Sequence, residues 1–345
     1  MGDSLAMSQF EAALKAVESD GATPAEKAEM LMEIAMGLQQ RPKTEEPLLH
    51  AVQLYRRALQ LCPIDSPLLK ARITTRLGTA LQALPAGGVR ALQEARDCYE
   101  SALATLTGKT DASEAAEIEM NLGLVQQSLA ASGHARLNDA IQCYHRSLRV
   151  FTREDHPQEF AILHNNLAIA YLSIPLSDER ARMREALAVQ SFEEVLKVIN
   201  LVDHPSEYAM VQNNLGNALQ SASSGHALQN TLRALDAYDE ALKVRNARDT
   251  PLEFANTFAN KANALRNLPD DPDRPGLGRD AALSRARELY QEARAIYVRV
   301  NAAHSAGLIE QALADIDHEL AAQRDARGNG SAQPGYASAP LRAGE

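Results

Sequence analysis

The chain has 345 residues and carries 45 acidic against 35 basic side chains, a formal net charge of −10 at pH 7. This negative balance argues against a surface built to bind nucleic acid, because phosphates attract basic patches. Hydrophobic residues make up 45% of the chain, enough to bury a core, but a single globular core rarely extends beyond roughly 250–300 residues. A repeat architecture avoids that limit, since each repeat needs only its neighbours.

The N-terminal residues and the cysteines indicate the compartment. Residues 1–6 lack the basic region and apolar run of a secretory signal. No apolar run approaches the ~20 residues that span a membrane. Cys62, Cys98 and Cys143 are an odd number and lack disulfide or metal-site spacing. We therefore expect a cytoplasmic protein with reduced thiols and no membrane partner.

The first predicted element is a single helix over residues 4–19. Ala6, Phe10 and Ala13 share one face of it, because positions i, i+4 and i+7 coincide on a helix. The same triad of small, aromatic and small or aliphatic residues returns six times along the chain, at Ala51/Tyr55/Ala58, Ala95/Tyr99/Ala102, Ala140/Tyr144/Ser147, Ala188/Phe192/Val195, Ala234/Tyr238/Ala241 and Ala286/Tyr290/Ala293.

Between these triads lies a second recurring feature, a small residue preceded by an apolar one. Successive copies are 43 to 48 residues apart, a period typical of solenoids built from helix pairs. We call the helix with the small residue A and the helix with the aromatic residue B. The predicted pairs occupy residues 24–62, 66–107, 111–152, 156–201, 204–247 and 250–299. The small residues are Ala35, Gly78, Gly123, Ala168, Gly216 and Ala262.

The spacing between landmarks varies only within the pairs. From the first Ala of each B triad to the next small residue there are 27 or 28 residues, whereas from A to B within a pair there are 16 to 24. The longest A–B loop, 269–280, is rich in Pro and Gly. Counting 28 residues on from Ala286 reaches Ala314, in a predicted closing helix over 302–323. Residues 324–345 have the composition of a disordered tail.

Most A helices begin with Pro followed two residues later by Glu. Four starts share this form, at Pro24, Pro157, Pro205 and Pro251. Proline suits the first helical position, and the Glu side chain can reach back to the amide of the preceding residue. The pattern predicts four capped helix starts.

The A and B patterns together resemble tetratricopeptide repeats (TPR) over residues 4–323, although the period exceeds the usual 34 residues and the family's Trp on helix A is absent. The stretch 150–168, with Asp-His-Pro followed by Asn-Asn-Leu-Ala, is similar to the long bacterial TPR units that occur with CHAT proteases and to kinesin light chain repeats. The resemblance implies an all-α, right-handed solenoid of about six helix pairs with terminal capping helices. It also implies that the A helices line a concave, peptide-binding groove.

Asparagine recurs on the A helices two residues before and one residue after the small position, and these two positions share a face. Its amide both donates and accepts, so a row of asparagines can pair with the backbone of an extended peptide. Resemblance to peptide-binding TPR proteins implies that use. Alternatively, some asparagines tie neighbouring A helices together or are solvated. The candidates are Asn121, Asn166, Asn214, Asn217, Asn260 and Asn263, with Asn165 and Asn213 one residue further round.

Basic residues accompany this row at two places. Arg72 and Arg76 lie on the second A helix, and Arg266 lies near Lys261 on the sixth. TPR grooves that grip a C-terminal carboxylate combine Asn with Lys or Arg in this way, but a solvated basic patch fits the pattern as well. Lys261 also occupies a position that is usually a buried Leu.

No catalytic or metal-binding motif is recognisable, and the histidines recur at matching repeat positions, as structural residues do. We therefore expect no cofactor, no metal and no enzymatic activity. The expected function is a protein–protein interaction scaffold, adaptor or assembly factor that binds a peptide segment or protein partner in the groove. The alternative is a ligand- or peptide-gated regulatory protein whose solenoid changes curvature on binding. The sequence leaves self-association open.

Overall fold

The computed structural model describes residues 10–11, 14–15, 17, 21–40, 42, 44–106, 112–175, 180–222, 226–268 and 278–330, and the side chains of these residues up to 322. Across this part of the chain the secondary structure is helical, with no strand. Contacts divide the chain into two compact units, Met1–Val198 and Ile199–Glu345.

The first unit contains four helix pairs, each made of an A helix followed by a B helix. Successive pairs pack in chain order, and each A helix also contacts the A helix of the next pair. The A helices therefore share one face of the unit. The pairs are α1 (Pro24–Gln39) with α2 (Glu46–Leu61), α3 (Pro67–Gln82) with α4 (Gly88–Leu106), α5 (Ala112–Ala131) with α6 (Leu137–Ser147), and α7 (Pro157–Ser173) with α8 (Ala181–Val195).

The second unit contains two further pairs and a closing helix. The two A helices again contact each other, and the closing helix packs against the B helix before it. Its elements are α9 (Pro205–Ser221) with α10 (Ala227–Leu242), α11 (Pro251–Arg266) with α12 (Arg279–Arg299), and α13 (Ala303–Gly330). The prediction of an all-α array of six helix pairs followed by a closing helix is thus confirmed in the described residues.

The predicted first helix can be checked at only a few residues, whereas the closing helix is longer than predicted. The predicted helix 4–19 lies mostly outside the described residues, as do loop residues 269–277. Of that helix, Phe10 stacks on His50 with ring centroids 4.4 Å apart. At the other end, α13 continues to Gly330 instead of stopping at 323. Arg324, Ala326 and Arg327 favour a helix, and no proline interrupts residues 324–330. Residues 331–345 of the predicted tail lie outside the described part.

The small residues of the A helices face the aromatic rings of the B helices. A Cβ atom built on Gly123 would lie 2.4 Å from a ring carbon of Tyr144, and one on Gly216 would lie 2.5 Å from a ring carbon of Tyr238. Both tyrosine side chains are fully buried. The close approach of the two helices therefore requires glycine at these two positions. The sequence pattern predicts only a small residue there, since Ala35, Ala168 and Ala262 hold the equivalent position in other pairs.

Two of the connections from a B helix to the next A helix have the same asparagine turn, which gives a local cause for their equal spacing. After α8 and after α10, the side-chain oxygen of Asn200 or Asn246 accepts hydrogen bonds from two backbone amides of the following turn, at 2.8–3.0 Å. The amide of the residue before the next helix, His204 or Thr250, then donates to the asparagine's own carbonyl at 3.1 Å. Each turn thereby sets where the A helix begins.

Of the four predicted helix caps, one is present in the structure and three are not. Glu26 forms the predicted capping box with Thr23, whose amide donates to the carboxylate across 2.7 Å. The starts of α7, α9 and α11 have no side-chain cap bond. The amides that Glu would reach are already bonded to carbonyls of the preceding turn. The prediction of a glutamate cap is therefore wrong at these three starts.

Candidate functional site

Two asparagines of the predicted row accept hydrogen bonds from buried tyrosines in the second unit. Asn217 follows Gly216 on α9, and Asn263 holds the equivalent position on α11. The hydroxyl of Tyr238 donates to Asn217 Oδ1 across 2.7 Å, and that of Tyr290 donates to Asn263 Oδ1. Burial raises the pKa of both tyrosines, that of Tyr290 to about 12. The hydroxyls therefore stay protonated and act as donors at neutral pH.

These bonds orient the two asparagine amides. The Tyr238 oxygen also accepts a hydrogen bond from Gln220 Nε2, which leaves its own proton for Asn217. The Asn217 oxygen therefore points inward to the tyrosine and its NH2 group points away from the core. Neither the Asn217 nor the Asn263 NH2 group donates to another residue within the described part. Asn217 is half-buried and Asn263 is exposed. The A-helix face of this unit thus presents two oriented donors.

Asn213 and Asn260 connect the two A helices of the second unit. The Asn260 amide donates to Asn213 Oδ1 across 3.2 Å, and Gln220 Nε2 donates to the Asn260 backbone carbonyl at 3.2 Å. Asn213 is buried. These two side chains fit the structural alternative for the asparagine row. Asn214 lies beside them, half-buried, and makes no hydrogen bond to a described residue.

The basic residues that accompany the asparagine row in the second unit are paired with carboxylates. Lys261 pairs with Asp239. Arg266 pairs with Glu319 at 3.0 Å and with Asp315 at 3.4 Å, both on α13. Arg279 also pairs with Glu319 at 2.9 Å, so that this carboxylate joins α11, α12 and α13. Arg266 therefore attaches the closing helix, and this bonding leaves it little freedom to meet a ligand.

The asparagines of the first unit have different surroundings. Asn121 on α5 is half-buried and makes no hydrogen bond to a described residue. On α7 the Nδ2 atom of Asn166 and the Oδ1 atom of Asn165 are both buried without a partner among the described residues. The Nδ1 atom of the adjacent His164 is also buried and unbonded there. Unpaired buried polar atoms are costly, so α7 is an unusual segment of this unit.

Arg72 and Arg76 lie on α3, facing α1 and α5. Arg72 donates to Glu114 through Nε at 2.9 Å and through Nη2 at 3.5 Å. This hydrogen bond raises the pKa of Arg72. Arg76 is half-buried and makes no ion pair with a residue of the described part. Both arginines line an open groove.

In four helix pairs the B-helix tyrosine is hydrogen-bonded to a glutamine of the A helix, a contact that the sequence patterns above do not predict. In four pairs this glutamine stands four residues after the small residue. In the fourth pair the B aromatic is Phe192, which lacks a hydroxyl, and the glutamine is replaced by Leu172. The matching absence of both partners is visible in the sequence. The pairs are Gln39–Tyr55, Gln82–Tyr99, Gln127–Tyr144 and Gln220–Tyr238.

None of the described helices is long and apolar enough to cross a membrane. The described residues also contain no group of three or more His, Cys, Asp or Glu side chains placed to hold a metal ion.

Comparison with solved structures identifies the fold. No protein-family model and no curated protein sequence matches the chain. The structure of BtubC (BKLC) from P. vanneervenii superposes with a TM-score of 0.50 at 21% identity, covering 71% of this chain and 89% of that one. At this identity the likeness shows a shared fold and no shared partner.

Two other structures overlap less well. A signal transduction ATPase with numerous domains from Pyrococcus horikoshii, which has a tetratricopeptide repeat sensor, gives a TM-score of 0.45 at 14% identity and covers 82% of this chain and 42% of that one. A Rap protein complexed with competence and sporulation factor gives 0.29 at 14% identity, with 93% and 99% covered. The helix pairs, their packing in chain order and the BtubC match agree with the predicted repeat family. The chain is therefore a TPR-like repeat protein in its fold.

Proposed function

We propose that this protein is a non-catalytic interaction scaffold that holds a peptide segment of a partner protein against its A helices. The observation that supports this proposal is the orientation of Asn217 and Asn263. A buried tyrosine binds each amide oxygen, which leaves an NH2 donor on the A-helix face. A donor fixed before binding loses little conformational entropy when the ligand arrives.

The ion pairs of Lys261 and Arg266 favour a ligand group that is an uncharged hydrogen-bond acceptor. Lys261 and Arg266 both form ion pairs with carboxylates. Neither side chain therefore offers an unpaired positive charge beside the two amide donors. A carboxylate would find little compensating charge there, whereas a peptide carbonyl needs only the amide hydrogen. Recognition of backbone carbonyls would tolerate many side-chain sequences in the partner.

Exposed apolar side chains on the A helices supply further contact area. Met210 on α9 and Leu252 on α11 are 41% and 44% exposed, and Ile162 on α7 is 47% exposed. Asn214 and Asn121, which lack hydrogen bonds to described residues, are additional candidate contacts. Asn213, Asn260 and Arg266 hold helices together in our proposal, and Asn165 and Asn166 contribute only if α7 rearranges.

The test uses the variant Asn217→Asp/Asn263→Asp. Aspartate keeps the oxygen that accepts the tyrosine proton, so the core contact survives, but it replaces the NH2 donor with a carboxylate oxygen that repels a carbonyl. We expect a partner captured from the native cell lysate by the wild type to be lost by the variant. A peptide from that partner should bind the variant at least about tenfold more weakly by calorimetry.

The control is Gln142→Glu/Gln291→Glu, which makes the same change in net charge on exposed positions of the B helices α6 and α12. The control should bind like the wild type, and all three proteins should have the same helical circular dichroism. Equal binding by the wild type and the aspartate variant would contradict the proposed role of the two amides.

A further inference from the structure

An open groove crosses the A helices α1, α3 and α5 in the first unit. It consists of two adjoining cavities of about 650 and about 260 Å³. Met32, Glu33 and Arg72 line both cavities, so the two adjoin at these residues. Its position on the A-helix face makes it part of the surface that the proposed function assigns to partner binding.

The groove has an apolar floor. Met32 and Met36 of α1 and Leu68 and Leu69 of α3 line it, together with Ile118 of α5. Leu68 remains 37% exposed. Methionine side chains are flexible and polarisable, and they adapt to partners of irregular shape. The floor can therefore bury apolar parts of a ligand, including the aliphatic stems of long side chains.

The rim of the groove is predominantly acidic. Five carboxylates and two guanidinium groups line the two cavities, and Arg72 is already paired with Glu114. The other four carboxylates make no ion pair with a described residue. Arg76 is the remaining positive charge among the residues that line the two cavities. These four are exposed to solvent. The five acidic residues are Glu29, Glu33, Asp65, Glu114 and Glu117.

We propose that this groove binds a cationic segment of a protein partner, in which Lys or Arg residues alternate with apolar ones. The inference rests on the proposed function, since the ligand is again a peptide, and it adds the chemical class of that peptide. Apolar side chains and the stems of Lys or Arg lie on the methionine and leucine floor. The charged heads then reach Glu29, Glu33 and Asp65 at the rim.

The arrangement suits an extended organic cation better than a metal ion. The carboxylates are distributed over α1, α5 and the turn before α3, and the described residues contain no group of them close enough to hold a metal. Each carboxylate can instead meet a separate basic side chain along a peptide. Contacts of this kind at exposed sites are individually weak and sensitive to salt, so several are needed together.

The test measures binding of three synthetic peptides of equal length with blocked ends, by fluorescence anisotropy at low salt. One alternates Arg with Leu, one alternates Glu with Leu and one alternates Ser with Leu. We expect the wild type to bind the Arg peptide best, and Glu29→Gln/Glu33→Gln to bind it about fivefold more weakly. Arg76→Gln should bind it more tightly than the wild type does, because a repelling charge is removed.

The control is needed because a protein with a net charge of −10 attracts any cationic peptide. Glu100→Gln/Glu292→Gln makes the same change in net charge on exposed positions of the B helices α4 and α12. This control should bind the Arg peptide like the wild type. A loss of affinity equal to that of Glu29→Gln/Glu33→Gln would show that the attraction is non-specific and would overturn the inference.

Failure of this inference is distinguishable from failure of the proposed function. If the Glu or Ser peptide binds as well as the Arg peptide, or if none of the three binds, the cationic assignment is overturned. The aspartate variant at positions 217 and 263 then still decides, with the captured partner, whether the second unit binds a peptide. Conversely, that variant should bind the Arg peptide as the wild type does if the first unit alone provides its site.

Discussion

The hydroxyl of Tyr238 on α10 donates to the side-chain oxygen of Asn217 on α9 across 2.7 Å. The ring of Tyr238 is fully buried against Gly216, and the residue it bonds stands directly after that glycine. One side chain thus fills the space between the two helices and orients an amide on the A-helix face. Core packing and the proposed recognition surface are therefore coupled through this tyrosine.

We predict that Tyr238→Phe lowers the binding free energy of the peptide at the second unit by more than it lowers the free energy of unfolding. The ring remains in place, while the Asn217 amide loses the bond that orients it. The lost hydrogen bonds to Asn217 and Gln220 should together lower the free energy of unfolding by about 1–3 kcal/mol. Urea unfolding followed by circular dichroism, together with calorimetry of the captured partner's peptide, measures both effects.

Tyr99→Phe is the matched control for this prediction. It removes a hydroxyl that donates to Gln82 Oε1 across 3.0 Å and lies 3.2 Å from Thr79 Oγ1 in the first unit, so its cost in stability should be similar. It leaves the Asn217 amide untouched, so peptide affinity at the second unit should not change. Equal losses of affinity in both variants would argue against the orienting role of Tyr238.

The fourth helix pair offers a test of the tyrosine–glutamine bond. We predict that Phe192→Tyr destabilises the protein by about 1–3 kcal/mol, because the new hydroxyl is buried without a partner. Adding Leu172→Gln, which restores the residue found in four other pairs, should recover part of that loss. A double-mutant cycle of unfolding free energies measures the coupling. Strictly additive effects would show that position 172 cannot reach the hydroxyl.

Much of the helix organisation could be predicted from local features. Gly216 and Tyr238 belong to patterns that recur at a fixed spacing, and such patterns report which residues face each other. The capping box at Glu26 was predictable in the same way. The uncapped starts of α7, α9 and α11 were not, because the backbone carbonyls of Thr152, Asn200 and Asn246 accept from the same amides from upstream.

The candidate site was less predictable, because it depends on contacts between residues far apart in the chain. Arg266 resembles a free basic residue in the sequence, yet its partner Glu319 lies 53 residues further on. Asn213 and Asn217 look alike as members of one row. Only the packing of the helices shows that Asn213 accepts a hydrogen bond from Asn260, whereas Asn217 accepts one from Tyr238.

Glycine at position 216 should be needed for close packing of α9 against Tyr238. We predict that Gly216→Ala lowers the free energy of unfolding by about 1–3 kcal/mol, because the added carbon would lie 2.5 Å from the Tyr238 ring. Gly37→Ala is the control, since apart from the neighbouring backbone of its own helix no atom lies within 4 Å of its added carbon. That change should stabilise α1 by about 0.5–1 kcal/mol. Urea unfolding compares both variants, and an equal loss in both would contradict the packing argument.

The closing helix should contribute to stability through its buried face. Ile316 on α13 is fully buried among Leu283, Leu289 and other residues of the second unit's core. We predict that Ile316→Ala lowers the free energy of unfolding by about 2–4 kcal/mol. Leu308→Ala, at a position that is 56% exposed, should have almost no effect. Similar losses for the two variants in urea unfolding would contradict the described packing of α13.

Stability should decrease in mildly acidic solution because of His164. Burial is the main reason that the pKa of this histidine lies below its ordinary value of about 6.5, with further lowering by His145 and Lys197 and opposition from Glu194. Between the folded and unfolded pKa values the unfolded chain binds more protons, so acidification favours unfolding. The stabilising contribution of neutral His164 is complete above about pH 6.5 and diminishes as the pH falls below it.

We therefore predict a lower urea midpoint at about pH 5.5 than at about pH 7.5, and a smaller difference in His164→Leu. Leucine does not titrate, and it also removes the unbonded Nδ1 atom. Carboxylates of lowered pKa, such as Glu26 and Glu240, do not contribute in this window, because they lose their charge only at lower pH. The chain has no tryptophan, so helical circular dichroism is the measurement. An unchanged difference in the variant would assign the pH dependence to other groups.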